Sequence, residues 1–290
     1  MRLARVLRAA TWLVPPLAAP TALHAQNDCF PPASSNEAQT MALVSVPLAF
    51  SALHAPERLP VGTVRLTFEL TDVPNVSDEL ATPTLCDPGK GPENANLLPV
   101  FARPRVLAVV APGVSAEASW VPPVTVAEVT SNLVSLAVGW TVPVRSTLAA
   151  RLRAHATVGW VKAPITCDEE SLQDPASECY LGIESRDKLN PNIFGADATL
   201  GWGHAGGRLR PYLGLGYNRL QPRFRVNFTN RQGTLDRSRV EVDLNRMVTF
   251  AGADWRPWPA TLVALEAYAA PTDGVTARVG LSYGVRAWGR

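Results

Sequence analysis

Residues 275–288, VTARVGLSYGVRAW, alternate between apolar and polar positions. Val275, Ala277, Val279, Leu281, Tyr283, Val285 and Ala287 fall on one side; Thr276, Arg278, Gly280, Ser282, Gly284 and Arg286 fall on the other. Successive side chains of a strand point to opposite faces, so this spacing predicts a long strand with one oily and one wet surface. Strands in water-soluble sheets usually stop after about five or six residues. A tilted strand crossing a bilayer needs roughly nine to eleven.

The same period recurs along the chain. Val64, Leu66, Phe68 and Leu70 oppose Arg65, Thr67 and Glu69; Val114, Ala116, Ala118 and Trp120 oppose Ser115, Glu117 and Ser119. Leu136, Val138 and Trp140 oppose Ser135, Gly139 and Thr141, and Leu152, Ala154, Ala156 and Val158 oppose Arg151, Arg153, His155 and Thr157. Phe194, Ala196, Ala198, Leu200 and Trp202 oppose Asp197, Thr199 and Gly201. The pattern predicts ten strands, near 62–73, 101–111, 113–121, 130–143, 148–163, 193–204, 208–224, 239–254, 260–269 and 275–288.

Connections alternate in length. Short turns are expected at 112–113, 145–147, 205–207, 256–259 and 271–274, and longer links at 74–100, 122–129, 164–192 and 225–238. Short turns at one end and long loops at the other are the arrangement of an up-and-down barrel that crosses a membrane. On that topology Trp120 and Trp160 approach the loop end, while Trp140, Trp202, Trp255, Trp258 and Trp288 approach the turn end, as two interfacial girdles require.

Two segments break the pattern. QTMALVSVPLAFSAL, 39–53, is apolar enough for a strand but would make the count odd. Residues 26–60 are therefore a plug, a periplasmic segment, or half of an extra pair that would make twelve strands. Arg246 follows Val240, Val242 and Leu244 on what reads as the oily face, and a bulge there would restore the facing.

Composition adds export and charge. Arg2, Arg5 and Arg8, an apolar stretch, and Leu23-His24-Ala25 before QND read as a signal peptide, residues 1–25, cleaved near Ala25. Its removal takes three of the 27 basic residues and none of the 25 acidic ones, leaving a net charge of −1. That balance gives no sign of a nucleic-acid partner. Four cysteines in an exported chain suggest two disulfides. Cys167 and Cys179 bracket a polar loop and pair locally; Cys29 with Cys86 follows by elimination, although sequence alone does not fix connectivity. No metal-site spacing occurs, and neither a metal nor another cofactor is expected.

Alternating strands, uneven connections, aromatic strand ends and an export signal together resemble the bacterial outer-membrane β-barrel proteins, over about 61–288. The resemblance implies an all-β, antiparallel up-and-down transmembrane barrel in the bacterial outer membrane. Its partners would be lipid, lipopolysaccharide and the barrel-assembly machinery. Members commonly finish on an aromatic residue, whereas this chain ends Trp288-Gly289-Arg290.

Candidate chemistry lies on the wet faces. Arg65, Glu69, Arg105, Glu117, Arg151, Arg153, His155 and Asp197 point into a narrow charged lumen, where opposite walls are expected to pair. Arg219, Arg223 and Arg225 sit at the outer rim, where guanidinium groups suit lipopolysaccharide phosphates. The function these features suggest is structural or small-solute transport of a porin-like kind, with no catalytic residue assigned. One alternative is a barrel hydrolase built on His155. Another is a soluble, lipocalin-like carrier whose oily face lies inside.

Overall fold

The computed structural model describes residues 28–204 and 207–286. The expected signal peptide and Trp288 lie outside the described residues. Ten antiparallel strands form the wall: β1 (Thr63–Asp72), β2 (Val100–Ala111), β3 (Val114–Val126), β4 (Val129–Arg145), β5 (Leu148–Ala163), β6 (Ile193–Trp202), β7 (Leu209–Leu220), β8 (Leu244–Trp258), β9 (Thr261–Ala270) and β10 (Gly274–Arg286). Each pairs with the next, and β10 returns to β1 from Arg278↔Thr71 to Arg286↔Thr63, so the sheet closes. Ten wall strands, not twelve, resolve the parity question.

One end carries tight turns, at 112–113, 146–147 and 259–260. At the first of these Gly113 has φ +78°, and a Cβ there would lie 2.6 Å from the Thr141 carbonyl oxygen. The other end carries the long connections 73–99, 164–192 and 221–243. The expected long link at 122–129 is absent. β3 and β4 run on to Val126 and Val129, past a register shift between Val121 and Val124, and close with Ala127-Glu128. Both turn residues have positive φ, 45° and 67°, the backbone that matches the twist of a tight hairpin. Pro122 and Pro123 interrupt the ladder at that shift, and pairing resumes beyond them at Val124↔Ser131, so the segment is a continued hairpin and not a loop.

Polarity is inverted relative to a soluble fold. Phe68, Leu136, Val138, Leu152, Leu215 and Leu281 are exposed on the outside, Val138 at 60%. On the inside Glu69, Arg103, Arg105, Arg151, Arg153 and Arg278 are buried, Glu69 at 0%. A lipocalin-like carrier would show the opposite arrangement, and that alternative is set aside. Trp140, Trp202, Trp255 and Trp258 are exposed near the turn end, and Trp120 toward the loop end.

Arg246 needs no bulge. β8 keeps continuous register with β7 from Leu244↔Leu220 to Trp255↔Leu209. Leu244, Val248 and Phe250 are all buried on the same inward face as Arg246, so the loop-end half of this strand meets an apolar patch of lumen. Gly214 leaves room for this, since a Cβ there would meet the Phe250 ring at 2.2 Å. Arg246 pairs with Asp273, Nε to Oδ2 2.8 Å. The segment expected as one strand over 239–254 is two: Arg239–Glu241 belongs to a loop-end extension of the wall sheet.

Residues 28–62 are neither a wall strand nor a segment beyond the turn end. Helix α1 (Asn36–Ser45) lies at the loop end, opened by Ser35, whose Oγ accepts the Ala38 N–H at 3.2 Å. From Val46 the chain descends through the lumen, reaches the turn end near Glu57, and reverses into β1. One passage through the interior explains why the apolar run at 39–53 fits no strand parity. Phe50 and Leu53 are 0% exposed there.

The wall also extends upward on one side. The top of β5 pairs with Asp187–Asn190, which pairs with Arg223–Arg225, then Arg239–Glu241, and finally Asp28–Cys29 in parallel. Cys29–Cys86 and Cys167–Cys179 are both formed, and both lie at this end.

Candidate functional site

The lumen is filled by a ladder of charges with the plug threaded through it. Lowest, Glu57 accepts from Arg210 (2.9 Å), Arg256 (3.2 Å) and Arg65 (3.3 Å). Above it, Asp254 accepts from Arg210 (2.9 Å) and from the Ala55 N–H (3.1 Å). Next, Glu117 pairs with Arg105 (2.8 Å) and lies 3.6 Å from Arg153, which also meets Asp197 at 2.9 Å. Toward the loop end Glu69 joins Arg105 (2.7 Å) and Arg103 (2.8 Å), with Arg278 at 3.6 Å. Glu266 accepts the Leu53 N–H at 3.0 Å and the Tyr212 hydroxyl at 3.1 Å.

Carboxylates do not suffice for the guanidiniums. Arg65, Arg103, Arg105, Arg151, Arg153, Arg210, Arg256 and Arg278 face Glu57, Glu69, Glu117, Asp197, Asp254 and Glu266. The plug backbone supplies further acceptors. Arg278 donates to the carbonyls of Val46 (2.9 Å) and Ala49 (2.7 Å), and Arg103 to Leu48 (3.2 Å) and Ala49 (2.8 Å). Arg105 donates to Ser51 (2.9 Å), Arg151 to His54 (2.9 Å), and Arg153 to Phe50. The Phe50 ring packs under three of these groups, with Arg105 4.1 Å, Arg103 5.3 Å and Arg153 5.5 Å from its centroid. A buried guanidinium has five N–H donors to satisfy, so an extended strand of bare carbonyls suits a surplus of arginines.

All eight residues expected in the lumen are therefore inside it and buried. Sequence reasoning missed the plug side of the network: Phe50, His54 and Glu57, with Arg210 and Asp254 on the wall. Nothing marks these as partners locally. The excess of inward arginines over acids was the available signal that another source of acceptors must occupy the barrel.

His155 is buried against Asp197, Nε2 to Oδ2 3.7 Å. A different histidine shows a catalytic-looking line. His54 Nδ1 lies 3.0 Å from Asp254 Oδ1, and His54 Nε2 lies 3.0 Å from Ser282 Oγ. Hydroxyl, imidazole and carboxylate stand in the order of a nucleophilic triad. Ser282 and Asp254 are each 1% exposed, held between plug and wall. The line acts as a clasp that fixes residue 54 to β8 and β10.

At the rim, Arg223 is engaged within the chain, by Asp243 at 2.9 Å and Glu241 at 3.0 Å. That takes it out of the expected set of free anion contacts. Arg219 and Arg225 are exposed.

Above the plug the interior changes character. A cavity of about 770 Å³ lies among α1, the 73–99 loop, the barrel mouth and the loop-end sheet. Met41, Val44 and Leu48 form its plug side; Leu97, Leu98, Phe101, Val161, Leu189 and Phe224 contribute elsewhere. Its polar lining is one-sided: Glu37, Asp87, Glu93, Glu178 and Asp236 against Lys90 and Arg239. Lys90 bridges Glu178 (3.0 Å) and Glu93 (3.2 Å). Glu37 accepts the N–H groups of Leu85 (2.7 Å), Thr84 (2.8 Å) and Cys86 (2.9 Å). Burial alone would raise its pKa, but these donors outweigh that and hold it at about 2. Together with Cys29–Cys86, this bond set fixes the 73–99 loop to α1.

No family model and no curated protein matches the chain. Among solved structures it is similar to Ail, the attachment invasion locus protein of Yersinia pestis, at 7% identity over 78% of this chain and 100% of that one, TM-score 0.33. It is also similar to the outer membrane protease OmpT from Escherichia coli, at 10% identity over 77% and 94%, TM-score 0.38. The translocator domain of the autotransporter NalP from Neisseria meningitidis gives 11% identity over 85% and 95%, TM-score 0.33. The architecture itself rests on the chain's own strand register: a closed, ten-stranded antiparallel barrel with its apolar face outward.

Proposed function

We propose that the protein is an outer-membrane barrel whose lumen is held shut by its own N-terminal segment, and that it acts structurally or by binding at its loop end instead of passing solutes freely. In this reading it is exported, cleaved near Ala25, inserted by the barrel-assembly machinery, and surrounded by lipid. Arg219 and Arg225 then reach the phosphates of lipopolysaccharide. The observation that carries the proposal is the use of wall guanidiniums on plug carbonyls from Val46 to His54. A freely conducting pore would keep those groups hydrated and available to ions.

Planar-bilayer recording of the mature chain tests this. The expected trace is silent, with discrete openings appearing in an Arg103→Ala, Arg278→Ala double variant that releases residues 46–49. Steady ohmic steps from the intact chain would overturn the closed-lumen proposal.

A further inference from the structure

We infer that the loop-end cavity is a binding site for a hydrophobic small molecule carrying a single positive charge, an aryl- or alkyl-ammonium compound. This goes beyond the closed lumen, and either proposal can fail without the other.

Three observations carry the inference. The first is volume: about 770 Å³ falls within the range of roughly 300–1,000 Å³ typical of small-molecule sites. The second is the wall. Met41, Val44, Leu48, Leu98, Val161 and Phe224 come from α1, the plug, the first long loop, β5 and the loop-end sheet, so the hollow is built from five separate elements. The disulfide Cys29–Cys86 lines the same space and braces its rim, which makes the cavity a fixed feature of the fold.

The third is charge. Five carboxylates line the cavity against two basic side chains. Lys90 is already shared between Glu93 and Glu178. Burial, reinforced by the nearby Glu178 and Asp236, raises the Asp87 carboxyl from its ordinary value. Such a group gains by receiving a cation. An apolar body would displace water from the hollow, and an ammonium would settle the excess negative charge at its edge. An anionic amphiphile of the same shape meets repulsion there, so the discrimination is one of sign as well as of fit.

Calorimetric titration of the full mature chain in lipid nanodiscs tests this, with empty nanodiscs subtracted for partitioning. The probes share one ring system: 1-naphthylmethylammonium, 1-naphthylmethanol and 1-naphthaleneacetate. The cation is expected to bind at least tenfold more tightly than the anion, with the alcohol between them. Val44→Trp and, separately, Leu98→Trp fill the hollow and are each expected to abolish saturable binding of all three. Asp87→Asn with Asp236→Asn is expected to erase the preference for the cation while keeping the alcohol's affinity. Equal or tighter binding of the anion overturns the assignment, as does cation binding unaffected by both tryptophan variants, or no saturable cation binding. Because conductance plays no part in these readouts, a leaky lumen would leave the result intact.

Discussion

Two halves of one interior are built on opposite rules. The half toward the turn end is crowded with arginine, glutamate and aspartate, and a chain segment fills what remains. The half toward the loop end is mostly apolar and hollow. Buried charge demands partners within a few ångströms, so a charged lumen tends to close on itself when nothing must pass. Apolar side chains make no such demand and can leave space for a guest. The contrast teaches that the many ions of this barrel mark its seal, while its quietest residues mark the place available to a ligand.

The comparison breaks most easily at Glu69. Replacing it with Gln leaves Arg103, Arg105 and Arg278 around a neutral amide. Loss of one partner from such a buried cluster costs about 3–5 kcal/mol, to be read from urea unfolding in lipid vesicles. Lys90→Ala in the loop-end cavity, the vestibule of the barrel, is expected to cost less, because its partners Glu93 and Glu178 are partly exposed and water reaches them. Equal costs in the two halves would dissolve the distinction.

Next in size is the outer belt. Val138 lies mid-strand on β4 and faces outward. Val138→Arg is expected to destabilise the lipid-embedded barrel by about 2–4 kcal/mol, as for arginine near a bilayer midplane. A neutral effect would place that face in water.

The smallest expected effect is a local pH response at the vestibule. Glu37 titrates at about 2 in the folded chain, below its ordinary 4.5. Its anchoring of the 73–99 loop is therefore fully present above about pH 4.5 and is lost as pH falls through 2. Intrinsic-rate-corrected protection of the Thr84, Leu85 and Cys86 amides should stay constant from pH 7 to near 5 and then decline. In Glu37→Gln it should be low throughout.

The wall was legible because each strand buries nothing on its outer side, so lipid and lumen print the period of two directly on residues such as Val275–Val285. Ten strands and their direction follow from that print; cysteine spacing suggested the local Cys167–Cys179 pair, and Cys29–Cys86 stood only by elimination until the structure paired them. The failures share a cause. At 122–129, at Arg246 and at 39–53, residues answer to a local environment that departs from the wall's rule: an exposed hairpin, an apolar patch of lumen, and a chain passing inside. The lumen residues were found by facing alone, but their partners on the plug were not, because a backbone carbonyl carries no sequence signature. The vestibule was missed for a similar reason. Five distant segments supply its wall, and the loop-end sheet, Cys29–Cys86 and the Glu37 and Lys90 bonds bring them together.

Hydrogen–deuterium exchange of the mature chain in lipid nanodiscs tests the closed lumen most directly. Amides from Ala49 to Ala55, held by Glu266, Asp254 and short internal bonds between two walls, should exchange as slowly as those of β4 and β5. If they instead exchange as fast as the exposed 230–234 turn, the segment does not occupy the barrel, and the seal described here does not exist.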